Sequence, residues 1–355
     1  MTWFVDDPAA LTPVVAGSRS RAVGAGVDPF QYQEITTELS SLRGWLPAFA
    51  AAAAEHARAA QDAEIQDRTA SAQTSWHSAA ACWHIATTLP NPDTAAVHHA
   101  ALQASTGLSH YLRLRGAATT LVPGARAEPF RGELRLPHTH LEQALPVAII
   151  VAGLDSARVE FLDLADALLA RGIAVAAIDG PGQGALIDTA PNPEYQRVVS
   201  SVLDSLTAHP TIDLAKVAAI GLSLGGLYAL LAAAHDSRIT AVATVSGPYP
   251  FPRWADLPPF ATDTLRLRLG THAAATEVSE QLHSAAPAPG VAQPLLVVSG
   301  TADVLPHPEQ ARALSDAAPH ARLMLVPGGD HLCGNARWRW LDALADWTSD
   351  QLQPR

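Results

Sequence analysis

Cysteine is scarce. Cys82 and Cys333 are the only two in 355 residues, and they lie far apart in the chain. That excludes a disulfide framework and a thiolate zinc site, and it fits a reducing cytoplasm. Positive charge is also scarce. Lys and Arg number 23 against 34 Asp and Glu, for a net charge of −11. A nucleic-acid binder would need a basic face, and none is indicated. A polybasic segment for anionic membranes is missing too. No apolar run reaches the length of a membrane span. The opening MTWFVDDPAALTPVV is acidic where a secretion signal would be basic, so a cytoplasmic protein is expected. Lone histidines and the pairs His98-His99 and His138/His140 have no companion thiolates, so no metal is expected.

What the chain has is hydrophobicity: 48% of residues are apolar, enough for a sizeable core. Its length suggests one large domain plus a smaller piece. Three stretches differ in pattern. Residues 1–27 have no strong periodicity and read as an irregular N-terminal arm. Residues 28–115 are Ala-rich and helical in character, with three to five helices forming a cap domain. In Ser75–Thr87 the apolar positions Trp76, Ala79, Ala80, Trp83 and Ala86 recur at three and four, which makes one helix face. From 116 to 355 short, wholly apolar runs such as PVAIIVAG, IAVAAIDG and PLLVVSG alternate with helical segments. That alternation predicts a mostly parallel sheet covered by helices on both faces. A Pro-rich excursion at 247–293 interrupts it where a lid would sit.

In such a sheet the chemistry gathers at the carboxyl ends of the strands. After the strand-like run ending near Leu222 comes Gly221-Leu222-Ser223-Leu224-Gly225. This is G-x-S-x-G in the strand–turn–helix setting of a nucleophile elbow. The glycines leave room for a sharp turn that lifts Ser223 above the sheet. A serine needs a base and an orienting acid. Asp303 follows a late strand, and His331 follows the last one in a glycine-flanked loop. The order Ser223, Asp303, His331 is that of a Ser–acid–His triad on an α/β-hydrolase sheet. Asp330 is a decoy, because adjacent side chains diverge. The oxyanion donors expected are the backbone N–H groups of Leu224 and Leu154. DGPGQG at 179–184 lacks a phosphate-loop lysine and reads as a tight turn.

Pocket residues are less legible. Trp76 and Trp83 could line a substrate pocket from the helical side, although their spacing favours a packed helix face. Tyr249 and Trp254, in the excursion, suit a pocket wall and plain packing equally.

Several stretches together carry a resemblance: CWHIATTLPNP, AGLDS at 152–156, DGPGQG, GLSLGGLYA at 221–229, SGPYPFPRW at 246–254 and GGDHLCGN at 328–335. They resemble the α/β-hydrolases, and within them the FrsA-like group with an N-terminal helical domain. The resemblance covers roughly residues 75–350. It implies a Ser–His–Asp triad at Ser223, His331 and Asp303, a small-molecule pocket between helical domain and core, and a homodimer; no cofactor is expected. Several members of that group cleave a carbon–carbon bond beside a ketone. Asp256 is the only acid in SGPYPFPRWADLPPF, where an additional acid would be expected for a nicotine-pathway substrate. Three functions follow as expectations: a hydrolase of a β-diketone, acyl-phenol or ester, an acyltransferase or cyclase with the same triad, and a non-catalytic binder on this scaffold.

Overall fold

The structure, a computed structural model, describes residues 2–116, 118–125, 127–138, 144–285 and 290–353. His140 lies outside them. Among the described residues, eight strands form one sheet: β1 (Ala118–Leu121), β2 (Arg131–Arg135), β3 (Leu145–Val151), β4 (Ala174–Asp179), β5 (Ile212–Leu222), β6 (Ile239–Val245), β7 (Leu295–Gly300) and β8 (Ala321–Val326). Their order is β1-β2-β4-β3-β5-β6-β7-β8. β1 and β2 pair antiparallel, as do β2 and β4. The pairings from β4 through β8 are parallel. The central strands are unbroken apolar runs because both faces are covered. Every residue of β3 is buried.

One face packs on α7 (Gln196–Leu206), α8 (Leu224–His235) and the excursion helix α9 (Pro259–Leu269). The other packs on α6 (Leu162–Leu169) and α12 (Leu341–Leu352). The excursion adds α10 (His272–Ser284) beside α9, and α11 (Pro308–Ala317) lies between β7 and β8 in sequence. The helical segment contains α2 (Pro29–Thr37), α3 (Trp45–Ile65), α4 (Thr69–Ala86) and α5 (Thr94–Arg115). Trp45, Phe49 and Tyr32 pack ring against ring inside it.

The arm at 1–27 is a correction. It was expected to be irregular, yet it holds α1 (Leu11–Ala25), closed by Gly26 at φ 112°. Its buried side is marked by the small Ala22 and Ala25, with Leu11, Val14 and Val15 half-buried, and serines, glycines and arginines fall between them, so the apolar signal is faint. The Ser20 hydroxyl donates to Asp330 Oδ2 at 2.5 Å, and the Arg21 guanidinium reaches Asp155 at 2.5 Å and Glu160 at 2.8 Å. Arg337 donates to the Gly24 carbonyl at 3.0 Å. α1 is thereby fastened to the loops that follow β3 and β8.

Candidate active site

β5 runs up the middle of the sheet and stops at Leu222, and α8 begins two residues later. Ser223 joins them at φ 55°, ψ −129°. A non-glycine residue held there stores on the order of 1–3 kcal/mol of strain. Two backbone bonds lock it: its N–H donates to the Val245 carbonyl at 2.9 Å, and its carbonyl accepts from Gly226 at 2.7 Å. The flanking glycines are steric necessities. A Cβ at Gly221 would fall on the Gly225 carbonyl, and one at Gly225 on the Val151 carbonyl.

The structure brings the three expected side chains together. The Ser223 hydroxyl donates to His331 Nε2 at 3.0 Å. With its proton on Nδ1, the same ring donates to Asp303, 3.2 Å from both carboxylate oxygens. Asp303 is buried, and its Oδ1 also accepts from the Leu305 N–H at 2.9 Å. The loop carrying His331 is held from behind. Leu332 and Cys333 adopt left-handed backbone at φ 62° and 48°. The Leu332 N–H donates to the Ser246 hydroxyl at 2.9 Å. Asp330 turns away toward Ser20 and Asn335, as expected for the decoy. Cys333 is buried, and that burial, with Asp303 and Asp330 nearby, pushes its thiol up to about 12.

Leu224 is the first residue of α8, where helix N–H groups have no intrahelical acceptor. Gly153 passes so close that a Cβ there would lie 2.9 Å from the Ser223 Cβ. The next residue, Leu154, lines the same cavity as Ser223 and Leu224. Its peptide is held from several sides. Gln183 Nε2 donates to the carbonyls of Ala152 and Gly153 at 2.6 and 2.9 Å. Arg268 of α9 donates to the Leu154 carbonyl at 2.6 Å. Arg21 of α1 donates to the Asp155 carbonyl at 3.0 Å. Burial brings the Arg268 guanidinium down to about 10. Sequence reading missed all three of these residues. Gln183 sits in DGPGQG, the motif read as a bare turn, and nothing in that motif displays its partners.

A cavity of about 470 Å³ opens above Ser223 and His331. Phe251, Leu257 and Phe260 supply much of its apolar wall, with Arg21 and Asp256 at its edge. The aromatic residues expected there are elsewhere. Trp76 is buried in the helical segment, stacked on His110 and bonded to Glu64 at 2.5 Å. Trp83 packs among α3 to α5 residues and meets His99 edge to face. Tyr249 and Trp254 pack against the sheet's main core, and Trp254 also abuts His272. None of the four lines this cavity. The reason is the position of the wall: it is built mainly by the 248–261 segment and the 304–306 loop, so the α4 tryptophans face their own bundle. Among the described residues, no group of three or more His, Cys, Asp or Glu is placed to hold a metal ion. No helix among them is long and apolar enough to cross a membrane.

Comparison with known proteins agrees with this architecture. The model of the prolyl oligopeptidase family matches residues 162–355. The 2,6-dihydropseudooxynicotine hydrolase of Paenarthrobacter nicotinovorans is 32% identical over 219 residues, 58% of this chain and 58% of that protein. The 20-hydroxy-prefusarin hydrolase of Gibberella moniliformis is 40% identical over 129 residues, 34% of this chain and 30% of that one. The chain thus spans little more than half of the first relative and under a third of the second. The crystal structure of 2,6-dihydroxy-pseudo-oxynicotine hydrolase superposes with a TM-score of 0.81 at 24% identity, covering 94% of this chain and 95% of that one. That likeness establishes the shared fold from helical segment to last helix. By a family match over more than half its length, on this sheet order, the chain belongs to the prolyl oligopeptidase family of α/β-hydrolases.

Proposed function

We propose that the protein is a serine hydrolase of a small organic metabolite. It breaks the carbon–carbon bond beside a ketone, in a β-diketone or acyl-phenol, or an ester of similar shape. One observation carries this reading: Ser223 Oγ lies 3.0 Å from His331 Nε2, whose other nitrogen faces Asp303, beneath an apolar cavity. The printed names of the relatives, hydrolases of a pseudooxynicotine and a prefusarin, support a metabolite of this kind.

The steps follow from the geometry. His331 Nε2 takes the hydroxyl proton as Ser223 Oγ attacks the substrate carbonyl carbon. The carbonyl electron pair moves onto oxygen, where the N–H groups of Leu224 and Leu154 receive it. Asp303 holds the ring with Nδ1 protonated and stabilises the imidazolium. As the tetrahedral adduct collapses, the bond to the leaving group breaks and His331 returns the proton to it. A carbon leaving group departs as an enolate or phenolate-type carbanion, so it must adjoin a carbonyl or aromatic ring. His331 then activates water, which clears the acyl group from Ser223. No cofactor enters any step. The reading includes a cytoplasmic homodimer, and light scattering on the purified protein tests the dimer.

Fluorophosphonate labelling read by intact mass is the direct test. The parent gains one phosphonyl group and Ser223→Ala gains none. Absence of labelling in the parent, with small and large reagents alike, would sink the reading. Turnover in ¹⁸O water then separates hydrolysis, which places one water oxygen in the acid product, from acyl transfer or cyclisation, which places none.

A further inference from the structure

A second cavity of about 580 Å³ adjoins the one above Ser223. The two share Arg21, Asp155, Pro258, Phe260, Val304 and His331. Ser223, Leu224 and Leu154 line only the first; Pro13, Val14, Gly17 and Ser18 line only the second. These last residues, with Arg21, recur at three and four along α1, so one face of that helix forms the wall. His331 stands where the two cavities meet.

This partition matters because an acyl-transfer site is itself two-sided. The carbonyl being attacked must lie with the nucleophile and the oxyanion donors. The departing atom must lie on the histidine's side, because His331 returns the proton there. We propose that the first cavity holds the acyl part of the substrate and the second holds the leaving group, with α1 as the element that selects it. The assignment rests on the serine-hydrolase reading above. It narrows the substrate class to a ketone or ester carrying a sizeable, mainly apolar group on each side of the bond that breaks. Val304, 88% exposed despite its size, lines both cavities beside His331. It marks the solvent-side rim that such a substrate would cover. α1 is therefore a specificity element supplied by the segment whose sequence reads as irregular.

Gly17 offers the test. It lies on the cavity face of α1, and a Cβ there meets no heavy atom within 4 Å, so a larger side chain enters open space. The probes are ethyl phosphonates that differ only in leaving group, fluoride or 4-methylumbelliferone, and phosphonofluoridates that differ only in chain, methyl or octyl. In each case Ser223 Oγ bonds to phosphorus, the bond to fluoride or the aryl oxygen breaks, and the serine proton leaves through His331. Gly17→Phe and Ser18→Phe are expected to slow labelling by the umbelliferyl reagent at least about tenfold. Labelling by the three fluoridates should change less than about twofold. Asp256→Trp, exposed at the wall of the first cavity only, is expected to slow the octyl reagent instead. Should the Phe variants melt early, Val14→Ala, which widens the second cavity, should speed the umbelliferyl reagent relative to fluoride. An α1 variant that slows the octyl reagent, or changes nothing, would overturn the assignment while leaving the hydrolase reading intact. A parent inert to all four reagents would end both.

Discussion

At the scale of single residues, the proposed chemistry depends on groups that touch the reacting atoms and on groups that aim them. The Asp303 carboxylate accepts from the His331 ring and from the Leu305 amide. Asp303→Asn keeps the shape but can favour the tautomer with the proton on Nε2, which cannot accept from Ser223. A fall in kcat of about 10⁴ is expected, with melting temperature little changed. Gln183 is an aiming residue. Its Nε2 donates to two carbonyls, and its Oε1 accepts from the Gly180 N–H at 2.9 Å and the Tyr195 hydroxyl at 2.6 Å. All the hydrogen-bonding capacity of the amide is used, which fixes its orientation. The Gly153 carbonyl it holds belongs to the same peptide as the Leu154 N–H. Polarising one end of a peptide strengthens the donor at the other. Gln183→Met retains the length and removes the bonds. A loss of about 10²-fold in kcat with little change in KM is expected, together with weaker binding of a trifluoromethyl ketone that mimics the adduct. A lowered melting temperature alone, with kcat and analogue affinity intact, would reduce Gln183 to a structural part.

At the scale of elements, α1 separates what the sequence displayed from what it hid. The strands were legible because burial on both faces writes an unbroken apolar run, as in LPVAIIV of β3. The elbow was legible because only glycine fits beside the turn at Ser223. Trp76 and Trp83 were legible as a helix face, and that face is core. Three things were not legible. α1 buries small alanines set among serines, glycines and arginines, so its apolar period is faint. Phe251 lies in irregular backbone and Phe260 in the first turn of α9, where no period separates a pocket wall from packing, so Tyr249 and Trp254 were placed there instead. Gln183 carries no sign of its partners thirty residues away. The polar docking of α1 also yields a stability prediction. Arg21 faces Asp155 and the fully buried Glu160, which His84 Nε2 also meets at 2.8 Å. Arg21→Ala leaves a buried carboxylate short of its cation, a loss of about 3–5 kcal/mol in urea unfolding. Glu160→Gln added to it should recover part of that loss, because the orphaned charge is gone. Full additivity of the two substitutions would show that the pair is not coupled.

At the scale of the whole molecule, Glu160 is the meeting point of three parts. Arg21 reaches it from the N-terminal helix, His84 from the helical segment, and its own backbone belongs to the loop after β3. Burial alone would raise its carboxyl. Arg21 and His84 outweigh that effect and hold the group well below the usual range. A carboxyl held low in the native state binds fewer protons there than in the unfolded chain. Stability from this site is therefore fully present above the unfolded value of about 4.3 and drains away as pH falls toward the native one. The net charge works in the opposite direction at first. The chain carries −11 at pH 7 and reaches neutrality near pH 5.7, so self-repulsion relaxes over that interval. The two effects consequently occupy different pH ranges. Melting temperature followed against pH should hold or rise between pH 7 and the isoelectric point, then fall steeply below about pH 4.5. Glu160→Gln is expected to start lower at neutral pH and to lose less on acidification, because its side chain has no proton to gain. If its curve ran parallel to that of the parent below pH 4.5, the acid sensitivity would belong to other carboxylates. The joint between helical segment and sheet would then have to be credited to contacts such as Arg158 Nη2 with Ser105, 2.8 Å apart.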